Sequence, residues 1–462
     1  METASKKLTL YDIPEFVEPE LSKLKILYYI NLFMLVTAYL MPQYFGIDIG
    51  YDITCTRFAS ILLVLYVLFN RRLLMAFFDN ALRCFLTLPF LAYLFVAGYT
   101  MVIRVDVKAF MNVFLEILLF YILLFGIRYV IGVIKSIKII LFCSYFLGFY
   151  GILEYAVGHS LYLQFLSTVP SDVVNVYRSG HYRVMGPCGH PLGFGLLLLL
   201  LLVIACYDIE KDEIYLFKRP VLLIVLFMDI FFTGSRSTLG LAVIEVGVIL
   251  VLSGKDNIKK SLIVLVIVVI FALLFLFLNR NNSLGRYLMM QIASVIDTAL
   301  GTRYSELYGA EIGRLDSSEE YREYLPKIFG LDWLNPIVGR GVKRGFGAEF
   351  YDKNGAIVYI HSTDNYYVSQ YIKYAYPGLI AYLFLIARSI ITLFRNGMKY
   401  RCSLLTVILI GTTIYFINLW WVDALQTLKF LYAYLALALG VIMHLKHLSN
   451  ETDKKSVRKN DT

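Results

Sequence analysis

Twelve stretches of this chain are apolar over about the length needed to cross a bilayer, and no motif constrains the fold as much as that repetition. They run over 24–41, 53–69, 85–103, 110–127, 139–157, 191–207, 221–232, 238–252, 262–278, 376–394, 404–420 and 425–444. A membrane-crossing helix needs about 20 mostly apolar residues, within a range of roughly 17–25. Backbone in hydrocarbon must also satisfy its own hydrogen bonds, which leaves helices for runs of this length. The seventh and eighth stretches are short and nearly continuous. Composition agrees, with 59% hydrophobic and 17% charged residues, against roughly 25% charged in soluble domains. The expectation is an all-α polytopic membrane protein with about 12 transmembrane helices. The first stretch follows a polar, partly acidic segment without a small-residue cleavage site, so it does not read as a cleaved signal peptide.

Short cytoplasmic loops carry an excess of Lys and Arg, and this sorts the formal net charge of +9. With the N-terminus inside, the inner segments hold 24 of the 43 basic residues, among them Arg71, Arg72, Arg128, Lys135, Lys218 and Arg395. The four short outer loops hold Arg57, Arg104, Lys108 and Arg236. Both termini are therefore expected in the cytoplasm, and most of the basic charge needs no nucleic acid to explain it. The organisation that follows is a cytoplasmic segment 1–23, spans one to nine over 24–278, an extracytoplasmic helical loop over 279–371 between spans nine and ten, spans ten to twelve over 372–445, and a basic cytoplasmic tail 446–462. Within the loop, Ser283 can cap a helix over 284–299, and Ser317 with Glu320 forms a capping box before 321–329. The six cysteines show neither CxxC nor zinc-type spacing. No metal site or cofactor is expected.

Basic residues on the outer side run against the topological bias and so need another explanation. The segment from His181 to Gly195, HYRVMGPCGHPLGFG, enters the sixth span. Pro191 suits a first helical turn, which puts His190 at the cap and Arg183 just above an outward-facing helix N-terminus. The segment from Phe231 to Gly240, FFTGSRSTLG, enters the eighth span in the same way, with Thr233 or Ser235 as cap and Arg236 beside it. Unpaired amides and the helix dipole favour anions there, and a guanidinium adds bidentate recognition of phosphate. The alternative for both arginines is snorkelling to lipid headgroups. A third cluster, at the end of the long loop, has His361 ahead of Ser362, Thr363 and Asp364. Imidazole suits proton transfer near neutral pH, and the plainer alternative is an interfacial polar residue. Just upstream, Arg340, Lys343 and Arg344 sit among glycines in a basic loop that fits phosphate or sugar, or else a solvated turn. Glu116, Glu154, Asp229, Glu245 and Lys429 fall within spans, mostly in their outer halves, where ionisable groups line polar cavities or pair.

These clusters, in this order, resemble the O-antigen ligase and polymerase superfamily of bacterial membrane glycosyltransferases. The matching positions are Arg183, Gly186, His190 and Pro191, then Thr233 to Arg236, then Asn335, Pro336, Gly339, Gly341, His361, Ser362 and Asn365. The resemblance covers roughly the C-terminal two thirds of the chain, and Arg340 departs from a family pattern that is usually uncharged there. It implies a metal-independent C-type transferase in the bacterial cytoplasmic membrane. The donor would be a polyprenyl-pyrophosphate-linked oligosaccharide, and the acceptor another glycan. Arg183 and Arg236 would hold the pyrophosphate, and His361 would serve as general base. Arg178, His190, Ser235, Arg340, Lys343, Arg344 and Asn365 are the further substrate-binding candidates.

The expected activity is polymerisation of lipid-linked repeat units into a surface polysaccharide such as O-antigen, capsule or exopolysaccharide. A ligase that hands finished glycan to a lipid or protein acceptor is the alternative within the superfamily. A flippase or transporter is the alternative outside it, although the inverted repeats and interrupted helices common in transporters are not evident in the sequence. The bilayer is the first partner, and a flippase and a chain-length regulator are the plausible protein partners of such an assembly line.

Overall fold

The computed structural model describes residues 24–49, 52–165, 174–178, 180–310, 322–343, 345–351, 355, 357–360 and 363–460. Helix dominates, and the sheets among the described residues are two-stranded hairpins. Every one of the twelve apolar stretches is helical. In chain order the helices are α1 (Lys25–Leu40), α2 (Cys55–Leu68), α3 (Arg71–Arg83), α4 (Thr87–Arg104), α5 (Val107–Phe125), α6 (Val133–Val157) and α7 (Pro191–Ala205). They continue with α8 (Pro220–Phe232), α9 (Arg236–Leu252), α10 (Lys255–Leu278), α11 (Ser283–Leu300), α12 (Tyr366–Tyr400), α13 (Ser403–Asn418) and α14 (Leu428–Asn460).

Among the described residues, six helical runs are long and apolar enough to cross a membrane: Thr87–Arg104, Val107–Ile131, Val133–Val157, Lys255–Leu278, Tyr366–Tyr400 and Leu428–Ser449. Four further apolar helices, α1, α7, α8 and α13, have 13 to 16 residues. At 1.5 Å per residue they reach about 20–24 Å, short of the roughly 30 Å hydrocarbon core. Helix α2 is joined to α3 by a 115° bend. Asn70 makes that bend by accepting from the backbone N–H groups of Arg72 and Leu73. Helix α3 is amphipathic, with Leu73 buried and Arg71, Arg72 and Arg83 exposed, as suits a helix lying along an interface.

Burial sorts the helices into layers. Helix α7 is buried along nearly its whole length, and 94% of the apolar window of α14 is inside the protein. These two form the centre, with α7 packed on α8, α9 and α13, and α14 packed on α5 and α13. The most apolar run, α10, is the opposite case: Ser261 is its buried residue, and its Ile, Val, Leu and Phe side chains point outward. Side chains that apolar and unburied are satisfied by lipid.

Two expectations need correction. Helix α11 forms, but its cap position is Asn282, which makes no side-chain cap bond, and Ser283 is the first helical residue. Helix α12 begins ten residues ahead of the apolar stretch at 376–394 and is interrupted, because Ala375 has φ 57° and ψ −164° just before Pro377. Pro377, two residues on, lacks an N–H and its ring clashes with the carbonyl four residues back, that of Lys373, so the helix breaks within this turn. An interrupted helix is therefore present where none was legible. The Ser317–Glu320 capping box lies outside the described residues. Further along that loop, a 3-10 helix over Leu325–Gly330 and a hairpin of Ala348–Tyr351 with Ile357–Ile360 pack against the first part of α12 around Ile328, Ile360 and Tyr371.

Candidate functional site

The two arginine motifs, 50 residues apart in sequence, meet in space. Gly234 adopts φ +59°, which turns the chain sharply between α8 and α9. The turn exposes the carbonyls of Thr233 and Gly234 to the incoming segment 178–184. Arg183 Nε donates to the Thr233 carbonyl at 2.6 Å, and Arg178 Nη1 donates to the Gly234 carbonyl at 3.0 Å. The backbone N–H of Val184 adds a 3.0 Å bond to the Phe232 carbonyl. A methyl group on Gly234 would sit 3.2 Å from both Arg183 Nε and the Tyr287 hydroxyl, so the left-handed turn and the close approach both favour glycine.

Arg236, the first residue of α9, is half-buried and its Nη1 lies 3.5 Å from Thr298 Oγ1 on α11. The guanidinium groups of Arg178 and Arg183 thus converge on one four-residue turn, whose last residue, Arg236, directs its own toward α11. Ser235 caps α9 by accepting from the Thr238 N–H at 3.4 Å. His190 caps α7, its Nδ1 accepting from the Leu192 N–H at 3.2 Å. Burial, reinforced by Arg183, pushes the His190 pKa down to about 4. The imidazole is therefore neutral and able to accept, which places His190 in the scaffold of the site as a helix cap.

Glu154, at the end of α6, organises the arginine loop. It is fully buried and accepts from the Tyr182 hydroxyl at 2.6 Å and from the backbone N–H groups of Met185 and Gly186 at 2.9 and 3.1 Å. Arg183, itself 8% exposed, lies inside this bracket. An aromatic wall closes one side. Tyr155 stacks on Phe232 with centroids 3.8 Å apart, and His181 lies 4.3 Å from the Tyr287 ring with its Nδ1 3.5 Å from the Tyr155 hydroxyl. Burial lowers the His181 pKa. Neither His181 nor Tyr287 was among the candidates. His181 is the first residue of the singled-out segment, whereas Tyr287 reaches the site from the long loop through α11 and left no local signal.

The third motif reaches the same end of the bundle through a chain of contacts. His361 and Ser362 lie outside the described residues, as does Arg344. Asn365 caps α12, its Oδ1 accepting from Tyr367 and Val368 at 2.9 and 3.1 Å. The next residue, Tyr366, donates its N–H to the Leu419 carbonyl at 3.0 Å. Neighbouring Asn418 approaches Thr238 Oγ1 at 3.4 Å, one turn into α9. A side chain on Gly195 of α7 would meet the same Thr238 oxygen at 2.6 Å. The N-termini of α7, α9 and α12 are thereby brought to one end of the molecule.

The Gly-x-Gly segment takes a structural position. The backbone N–H groups of Arg340 and Gly341 donate to the carbonyls of Ile372 and Lys373 at 2.8 and 3.0 Å, just before the break in α12. Arg104 donates to the carbonyls of Gly339 and Val338 at 2.7 and 2.9 Å. Asp106 accepts from the N–H groups of Val342 and Lys343 at 2.6 and 2.8 Å. Burial alone would raise the Asp106 pKa, but these and neighbouring backbone donors outweigh it and hold the carboxyl below its ordinary range. Arg340 lies over the Trp333 ring at 4.7 Å. Among the charged residues within helices, Lys429 donates to the Met41 carbonyl at 2.7 Å. Asp229 and Glu245 are fully buried with no hydrogen-bond partner among the described residues. No three His, Cys, Asp or Glu side chains among the described residues group as metal ligands. Neither a family model nor a curated protein matches this sequence.

Proposed function

We propose that the chain is a polymerase of lipid-linked glycan repeat units, working at the outer face of a bacterial cytoplasmic membrane. The observation that carries this reading is the convergence of Arg178 and Arg183 on the Thr233–Arg236 turn, which itself contributes Arg236, between the capped N-termini of two helices. Clustered guanidinium groups and oriented helix ends make a site for a multiply charged anion, and a polyprenyl pyrophosphate is an anion carried by a membrane-embedded tail. The Lys/Arg distribution supports placing both termini in the cytoplasm, with the arginine turn and the long loop outside.

In the reaction, an acceptor hydroxyl attacks the anomeric carbon of the donor. The carbon–oxygen bond to pyrophosphate breaks, and the leaving group departs with the electron pair. His361 takes the hydroxyl proton in this scheme. Charge builds on the departing pyrophosphate in the transition state, so fixed arginines stabilise that state more than the ground state. No metal or cofactor is required by these steps. The interruption of α12 does not favour transport, because the 24 residues from Pro377 to Tyr400 extend about 36 Å at 1.5 Å per residue and are enough to cross the bilayer by themselves.

Deleting the gene in its native host and examining the surface glycan tests the reading. A polymerase predicts loss of long chains with a single repeat unit still attached. Polymer retained on the lipid carrier would instead indicate a ligase, and unchanged long-chain glycan would overturn both.

A further inference from the structure

A polar cavity of about 170 Å³ lies away from the arginine turn, between α4, α5, the first part of α12 and the α13–α14 connection. Its polar lining includes the carboxylates Glu116 and Asp423, the ammonium of Lys373 and the amides of Asn112, Gln370 and Gln426. Tyr93 and Tyr374, edge to face with centroids 5.6 Å apart, form part of the wall. Tyr93 donates to Gln370 Oε1 at 2.5 Å, and Tyr374 donates to the Ala109 carbonyl at 2.7 Å, so both rings are fixed. By contrast, the side chains of Asn112, Glu116, Lys373 and Gln426 have no hydrogen bond or ion pair among the described residues. Glu116 is within electrostatic range of Lys373, Arg57 and Asp423, yet polar groups gathered at the end of a membrane bundle with no hydrogen bond between them need an outside partner.

The backbone around the cavity is built under strain. Leu425 and Gln426 both have positive φ, at 45° and 62°. Lys373 and Tyr374 immediately precede the break at Ala375, and Val342 of the clamped Gly-x-Gly segment completes one side. Non-glycine residues in such conformations persist only where surrounding structure over-determines them, and they cluster at ligand sites. The connection 423–427 also reaches the arginine motif, because a side chain on Gly193, at the start of α7, would lie 3.3 Å from Leu425 Cβ.

We infer that this cavity binds an uncharged sugar ring of the glycan that the enzyme extends, separately from the pyrophosphate at the arginine turn. The inference rests on the polymerase reading and deepens it. Two carboxylates against one ammonium make the lining unsuited to a phosphate, whereas carboxylates and amides together offer the donors and acceptors that vicinal hydroxyls need. The volume falls below the roughly 300–1,000 Å³ of drug-sized sites, which suits a single ring. The protein thus divides its substrate by chemistry, with arginines for the anionic end and acids, amides and phenols for the sugar.

The test uses the full-length protein in lipid nanodiscs, with methyl glycosides of a neutral hexose, an N-acetylhexosamine and a hexuronic acid as probes in saturation-transfer NMR. A neutral or N-acetylated glycoside is expected to bind, and the uronic acid to bind at least tenfold more weakly. Glu116→Gln and Asp423→Asn should each weaken binding about tenfold, the loss of one charge-assisted hydrogen bond. Asn112→Phe, which fills the space, should abolish it with an unchanged melting temperature. Arg183→Ala should leave glycoside binding intact. Preference for the uronic acid, no binding by any probe, or equal sensitivity to Arg183→Ala would overturn the inference. Glycoside binding by a wild-type protein that builds no polymer from lipid-linked repeat units would leave the cavity assignment standing and remove the polymerase reading instead.

Discussion

Gly234 is the residue on which the arginine site turns. Its left-handed φ strains any other residue, and a Cβ 3.2 Å from Arg183 Nε would make that side chain shift by a few tenths of an ångström. Gly234→Ala should lose about 1–2 kcal/mol of stability from the backbone alone and displace Arg183. A fall in turnover larger than the fall in protein level, measured on membranes normalised by immunoblot, is the expected outcome. Arg183→Ala and Arg236→Ala should each reduce turnover by at least a hundredfold, the scale of losing a preorganised donor to developing negative charge, with membrane insertion preserved. His190 gives a prediction in pH. Its folded-state pKa of about 4 lies below its ordinary value of 6.5, so an unfolded chain takes up a proton that the folded one does not. Stability from this group is complete above pH 6.5 and is lost as pH falls toward 4. His190→Asn keeps a capping side chain and should flatten the acid limb of a melting-temperature profile over that window. The arginines were legible in the sequence because the Lys/Arg bias assigns them to the side where basic residues are scarce. Glu154 was legible as a charge out of place, whereas its bonds to the 182–186 loop depend on tertiary packing and were not.

Among the elements, the apolar helices were the most legible, since length and hydropathy fix them almost independently of context. The first part of α12 was legible only as a helix start behind Ser362, Thr363 or Asp364; its cap is Asn365, and its packing against Ile328, Ile360 and the Gly-x-Gly segment was not legible. Helix α3 was hidden, since an amphipathic interfacial helix lacks the continuous apolar run that marks a span. The basic Gly-x-Gly segment invited a ligand-gripping role, yet its backbone amides are used by Asp106 and by the carbonyls ahead of the α12 break. Asp106→Ala removes the acceptor for two of those amides and should release the segment. Faster protease cleavage within 335–343, with the rest of the chain still protected by the membrane, is the expected result. Unchanged cleavage would mean that the α12 carbonyls and Arg104 hold the segment unaided.

At the scale of the molecule, buried α7 and α14 form a centre, lipid-facing α10 lies at the edge, and three helix N-termini are gathered at one end. The sugar-binding cavity and the arginine turn share that end and are joined by the 423–427 connection. The mechanism routes every step through side chains, so turnover should survive a metal chelator, and its loss there would require a metal site that the account does not contain. The most direct measurement is reconstitution of the purified full-length protein with a polyprenyl-pyrophosphate-linked repeat unit, following chain length by gel and free polyprenyl pyrophosphate by chromatography. The account predicts a ladder of lengthening glycan with one polyprenyl pyrophosphate released per unit added, and neither product from the Arg183→Ala protein. A ladder undiminished in Arg183→Ala, or an intact donor after prolonged incubation with the wild-type protein, would contradict it.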